Sequence, residues 1–232
     1  MIYCMSDIHG HYDKYLEMLR KIDFKDSDTL FVLGDVVDRG PSSMEILLDM
    51  MCRPNVIPIL GNHEYAAMAN LQFLAQEITE DSLSHFDENV MNNLLQWQSI
   101  GGTSTMESFR KLDREQKEEI LEYLEEFSLY EEIVVGKKKY VLVHAGPKNF
   151  NPDRPLWDYE LYEVIFDRAD YGKTYFANKT LVTGHTPTAL IPEHDGTDTI
   201  YKGCGHIAID CGCEFDGKLA CIRLNDEKEF YV

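Results

Sequence analysis

The sequence predicts an α/β protein built on a parallel β-sheet, and two observations carry that prediction. An apolar run, a polar glycine-bearing loop and a helical pattern follow one another three times in the first third of the chain. Strand, loop and crossover helix in that order are the grammar of βαβ units. Strand-like runs return after residue 130, and no low-complexity linker divides the chain. Residues 1–232 are therefore expected to form one domain.

The first unit is MIYCMS, then DIHG, then a helical pattern from His11 to Ile22 with Tyr15, Leu16, Leu19 and Ile22 on one face. The second is TLFVLG, DVVDRGP and a helix near Ser42 to Met51, with Pro41 well placed to start it. The third is VIPIL, GNHE and the helical YAAMANLQFLAQ. Residues 77 to about 130 are acidic and rich in Glu, Leu and Lys, and DREQKEEILEYLEEF is strongly helical by propensity. They read as a helical insertion or cap, interrupted by GGTST at 101–105. EEIVVG, KKYVLVHAG, KTLVTGHTPT, TIYKG, HIAID and KLACIRL then read as strands, the first two joined as a hairpin through GKKK.

Composition narrows the function classes. The chain is 44% hydrophobic and 27% charged, which suits a globular protein with a sizeable core. Its 22 basic and 41 acidic side chains give a net charge of −19. Such a surface repels nucleic acid and anionic membrane, so neither is expected as a partner. An anionic substrate would need local cations to overcome that field. MIYCMSDIHG has no basic n-region or cleavage-like segment, and no apolar run is long enough to span a bilayer. A cytoplasmic location is expected, with the six cysteines as reduced structural thiols.

The chemistry gathers at the strand ends. Asp7 and His9 follow the first strand, Asp35, Asp38 and Arg39 the second, and Asn62, His63 and Glu64 the third; His144 and His185 follow later ones. In open α/β sheets ligands bind outside the carboxyl ends of the strands, so these side chains can meet in one cleft. A single Asp after a strand is more often a turn former, and a single His more often structural. The conjunction is what argues for a site: four of the eight histidines stand in this setting. Asp, His and Asn donors suit borderline divalent ions such as Mn²⁺, Fe or Zn²⁺. Six candidate ligands exceed one catalytic ion's needs and fit two ions sharing a carboxylate, the arrangement that clamps phosphate oxygens. Asp35 would bridge them, Arg39 would grip a phosphate oxygen, and Asp38 would orient His63 to protonate the leaving oxygen.

SDIHG, GDVVDRG, GNHE, HAG and GHT, in this order, resemble the phosphoprotein phosphatase family of calcineurin-like metallophosphoesterases. The resemblance runs from residue 5 to about 222 and is closest to the short bacterial serine/threonine phosphatases. It implies a central β-sandwich of mixed sheets flanked by helices, broader than a simple doubly wound sheet. It also implies two divalent ions, most often Mn²⁺, one held by Asp7, His9 and Asp35 and the other by Asp35, Asn62, His144 and His185. Arg39, Asn62 and His63 would contact phosphate, and His63 with Asp38 would assist the leaving group. The family's second phosphate arginine would be Arg168, in Phe166-Asp167-Arg168 where Trp is common at the first position. Ser6 stands where the family's first motif has glycine.

The resemblance implies direct attack by metal-activated water, with a phosphoserine or phosphothreonine protein as the leading substrate. Symmetrical hydrolysis of bis(5′-nucleosyl) tetraphosphates is the alternative, and an inactive scaffold a third reading that the complete residue set opposes. The acidic stretches 77–130 and 146–170 are expected to frame the entrance and to disfavour a polyanionic dinucleotide.

Overall fold

The computed structural model describes residues 1–76, 88–147, 149–151, 153–215 and 217–232. Two five-stranded sheets form its centre. In the first, β1 (Ile2–Met5), β2 (Thr29–Leu33) and β3 (Val56–Ile59) run parallel, joined by α1 (Tyr12–Lys21) and α2 (Ser43–Met51) as the repeated units require. The second comprises β4 (Tyr130–Val135), β5 (Lys138–Val143), β6 (Thr180–Thr183), β7 (Tyr201–Gly203) and β8 (His206–Ala208). The first sheet is completed by β9 (Ala220–Arg223) and β10 (Lys228–Tyr231), antiparallel to their neighbours. The simple doubly wound sheet suggested by the strand count is replaced by two mixed sheets: β9 adds antiparallel to β1 in the first, and β4 to β8 pair among themselves as a second layer. The β4–β5 hairpin forms as expected, while β10 was not anticipated from its charged KEFY sequence.

Period-two alternation assigns the faces. Cys4, Phe31, Leu33, Ile59, Tyr140, Leu142 and Val182 point between the sheets and pack together. Tyr3, Met5, Leu30 and Val32 point the other way, under the helices of the first sheet. Val141, Val143 and Leu181 face a third cluster with α7 (Leu161–Ile165) and the aromatic residues around it. Both faces of these strands are buried, which is why they read as continuous apolar runs.

Helix α3 (Asn62–Ala75) follows β3 after two residues. The acidic insertion supplies α4 (Glu88–Ser99), α5 (Gly102–Arg110) and α6 (Arg114–Glu125). GGTST does break it, but only at Gly101; the remaining residues open α5. Asp113 caps α6 by accepting the Gln116 N–H at 2.9 Å while Gln116 accepts from the Asp113 N–H at 3.2 Å. The part of the expected insertion at 77–87 lies outside the described residues.

Candidate metal centre and active site

The loops after the strands are zipped together as extensions of the sheets. The N–H groups of Asp7, His9 and Gly10 donate to the carbonyls of Gly34, Asp35 and Val36, continuing the β1–β2 pairing into the turns. Across the layers, His144 Nδ1 donates to the Leu33 carbonyl at 2.7 Å, tying the end of β5 to the end of β2. These turns are strained. Nine non-glycine residues among those described have positive φ, and six of them are Asp7, His9, Asp35, Asp38, Arg39 and His185. Left-handed backbone at non-glycine residues is uncommon and gathers where function fixes geometry. Glycine meets a different need at Gly61, where a Cβ would lie 2.3 Å from Asp35 Oδ1.

Glu64 holds the Asp35 turn in shape. Its carboxylate is fully buried and accepts four backbone N–H groups: Asp35 at 2.8 Å, Val36 at 2.7 Å, Val37 at 3.1 Å and Gly61 at 3.0 Å. Burial, reinforced by the Asp35 charge, pushes this carboxyl up to about 7, and the N–H groups work against that rise.

Two sets of side chains converge on Asp35. His9, Asp35 and His63 form one group, and Asp35, His144 and His185 the other. Asp35 Oδ1 lies 3.4 Å from His144 Nε2, while Oδ2 lies 3.8 Å from His9 Nε2 and 4.0 Å from His63 Nε2. One carboxylate therefore faces two sets of nitrogen donors with separate oxygens. Burial opposes its ionisation, but the surrounding imidazoles outweigh burial and hold it well below the usual carboxylate range. Burial pushes His9 down to about 3 and His185 to about 4, and lowers His144 as well. These imidazoles are neutral at pH 7, the state in which they ligate metals.

The donor set fits divalent ions. His9 Nδ1 donates to the Val37 carbonyl at 3.0 Å and His144 Nδ1 to that of Leu33, which leaves each Nε2 a lone pair. His144 Nε2 and Asn62 Oδ1 stand 3.0 Å apart as two acceptors facing each other, a pairing that a cation satisfies and a neutral imidazole does not. Asp7 stands apart from both tight groups. Its two oxygens accept the His185 N–H at 3.1 Å each, and burial with the charges of Asp210 and Asp35 raises its pKa.

The remaining candidates border this cluster. Asp38 Oδ2 accepts His63 Nδ1–H at 2.7 Å, as expected of an orienting carboxylate. Burial would lower the His63 pKa, but Asp35 and Asp38 outweigh it and raise the value. Sequence reasoning missed what holds Asp38: Trp97 Nε1 donates to its oxygens at 3.1 and 3.0 Å, and Thr105 Oγ1 at 2.7 Å. The helical insertion thus reaches into the site. Arg39 donates from its two terminal nitrogens to His9 Nε2 and His63 Nε2, both at 3.1 Å, and pairs with Glu214, a second residue that the motifs do not single out. Arg168 is exposed, and its charge contributes, after burial and His144, to the low pKa of His185.

Residues 1–207 match the calcineurin-like phosphoesterase family. The chain belongs to that family. Its members use a dinuclear divalent metal centre, and the two groups around Asp35 are side chains able to hold one. A symmetrical bis(5′-nucleosyl)-tetraphosphatase of Nitrosospira multiformis is 24% identical across 99% of this chain and 94% of its own length. One from Delftia acidovorans is 35% identical, but over 41% of this chain and 35% of that protein, so the match spans about a third of that relative. Among solved structures, a putative diadenosine tetraphosphatase superposes with a TM-score of 0.65 at 20% identity, covering 100% of this chain and 92% of that one. A serine/threonine phosphatase from Saccharomyces cerevisiae reaches 0.61 at 15% identity, covering 100% and 78%. At these identities both show the shared fold. The two curated relatives carry the tetraphosphatase name, which does not support the phosphoprotein substrate that the motifs first suggested.

Proposed function

We propose that this chain hydrolyses dinucleoside tetraphosphates symmetrically, cutting one phosphoanhydride bond to release two nucleoside diphosphates. The observation that carries the reading is the Nitrosospira relative of that name, which aligns with nearly the whole of both chains. The site supplies matching parts. Asp7, His9 and Asp35 would hold one divalent ion and Asp35, Asn62, His144 and His185 the second, with Asp35 between them. Such a pair supplies Lewis-acid charge against phosphoryl oxygens and makes water acidic enough to react at neutral pH.

The chain's own residues do the rest. Arg39, turned from Glu214 and from the Nε2 atoms of His9 and His63, would carry a fixed fork of donors to a phosphoryl oxygen, with Arg168 as the second arginine. Asn62 and His63 add contacts to phosphate. His63, held by Asp38 and raised in pKa, is placed to donate a proton to the departing phosphate oxygen. The two arginines and the metal charge answer the difficulty posed by a net charge of −19: attraction is local although the surface repels.

Turnover by Mn²⁺-loaded protein of bis(5′-adenosyl) tetraphosphate, beside a phosphothreonine peptide, tests the reading. Faster cleavage of the dinucleotide, with ADP as sole nucleotide product, is expected. Preference for the peptide would restore the phosphoprotein reading.

A further inference from the structure

Beside the metal-ligating cluster lies a cleft of about 530 Å³ lined by α3, α4, Ile100 and the α7 region. Three aromatic rings stand exposed on its wall: Tyr65 at 36%, Tyr162 at 58% and Phe166 at 39%. Tyr162 and Phe166 are stacked, with centroids 5.2 Å apart and planes at 21°. Tyr65 meets them edge-on at 5.7 and 6.2 Å. Its hydroxyl lies 3.4 Å from that of Tyr162 in a hydrogen bond. Among the described lining residues none is charged, and the polar ones include the amides of Asn70, Asn93 and Gln96. Contiguous exposed apolar surface of this kind marks a binding site more often than a default surface.

The cleft is continuous with the reaction centre. Trp97, part of its lining, donates to Asp38, and the Ile100 carbonyl accepts Arg39 Nε–H at 3.4 Å. The Phe166 carbonyl lies 3.2 Å from His185 Nε2 and accepts its N–H. Tyr65 follows His63 by two residues on the same helix. A ligand anchored by phosphate at the metals can therefore extend into the cleft. Among the described lining residues its phosphates find no cation, so what enters is the uncharged end. A flat heteroaromatic ring with donors and acceptors along its edge matches both features of the lining. Its faces stack on the rings, and its edge meets amides that donate and accept at once.

We propose that this cleft is a nucleobase subsite, with Tyr162, Phe166 and Tyr65 as the stacking wall. The assignment rests on the nucleoside-polyphosphate reading above, and the described side chains that the insertion contributes to the cleft are neutral. Base–aromatic stacking predicts an advantage of roughly tenfold for a ligand that carries the base.

AMP and ribose 5-phosphate differ only in the adenine ring. Calorimetric titration of the Mn²⁺-loaded protein with each should give AMP the tighter binding by roughly tenfold, and Tyr162→Ala should cut that advantage about fivefold. Equal affinities in the parent protein would overturn the subsite. So would an advantage that survives both Tyr162→Ala and the Tyr65→Ala/Phe166→Ala double variant. Dinucleotide turnover in the same preparations separates the two readings. Turnover without an adenine advantage sinks the subsite alone; an adenine advantage without turnover sinks the function and leaves the subsite standing.

Discussion

Replacing Glu64 by Gln sets two physical effects against each other. The carboxylate is buried, and burial raises its pKa to about 7, so removing the charge relieves a desolvation cost. The geometry argues the opposite outcome. Oε2 accepts from Asp35 and Gly61, and Oε1 from Val36 and Val37. A glutamine offers one acceptor oxygen and one NH₂, so in either orientation two of the four N–H groups face another donor. Each buried donor left unsatisfied costs about 1–3 kcal/mol, and the pair about 2–6 kcal/mol. A domain of this kind is stable by about 5–15 kcal/mol, so the variant should fold but melt early. At about 2–4 °C per kcal/mol for a chain of this size, the expected drop in Tm is about 4–24 °C. Thermal melts of metal-free protein at pH 8, with the exposed Glu17→Gln as control, provide the assay. A Glu64→Gln variant that melts within about a degree of the parent would refute the argument, because desolvation would then balance the four hydrogen bonds.

Three further outcomes follow from other contacts. Trp97→Phe removes the indole donor to Asp38; a hydrogen bond to a charged group is worth about 1.5–3 kcal/mol, so kcat should fall roughly 10- to 100-fold with metal content unchanged, read by steady-state kinetics and elemental analysis. Glu214→Gln frees Arg39 from its ion pair, and inorganic phosphate should inhibit at several-fold lower concentration, read as a competitive inhibition constant. His206, buried against Tyr171, is depressed by burial to about 3. Its neutral form is the one folded into the core, so its stabilising contribution is complete above about pH 6.5 and shrinks as pH falls, by up to about 1.4 kcal/mol per unit. Urea unfolding of His206→Phe between pH 7 and 4 should show a shallower loss of stability than the parent.

The strand-end residues were legible because β-strands and glycine-bearing turns are local patterns, and side chains after parallel strands share one edge. The contacts that complete the site join residues far apart in sequence. Trp97 and Asp38 are separated by 59 positions, and nothing local in ENVMNNLLQWQS marks an indole aimed at a carboxylate. Glu214 reaches Arg39 from the turn before β9, again without a local signal. Glu64 stood in view within GNHE, but its role as acceptor for four N–H groups depends on how α3 is set against the Asp35 turn. The aromatic wall was hidden for the same reason, since Tyr65 and Tyr162 meet across 97 positions. Net acidity along the insertion does not say which of its faces meets a ligand: the described side chains that line the cleft are neutral.

The proposed site requires Asp35 to join two divalent ions. Electron paramagnetic resonance of the Mn²⁺-loaded protein, with metal content measured on the same sample, tests it most directly. Two ions per chain with a spin-coupled spectrum are expected, and loss of the coupling in Asp35→Asn. One ion per chain, or two that remain uncoupled in the parent protein, would contradict it.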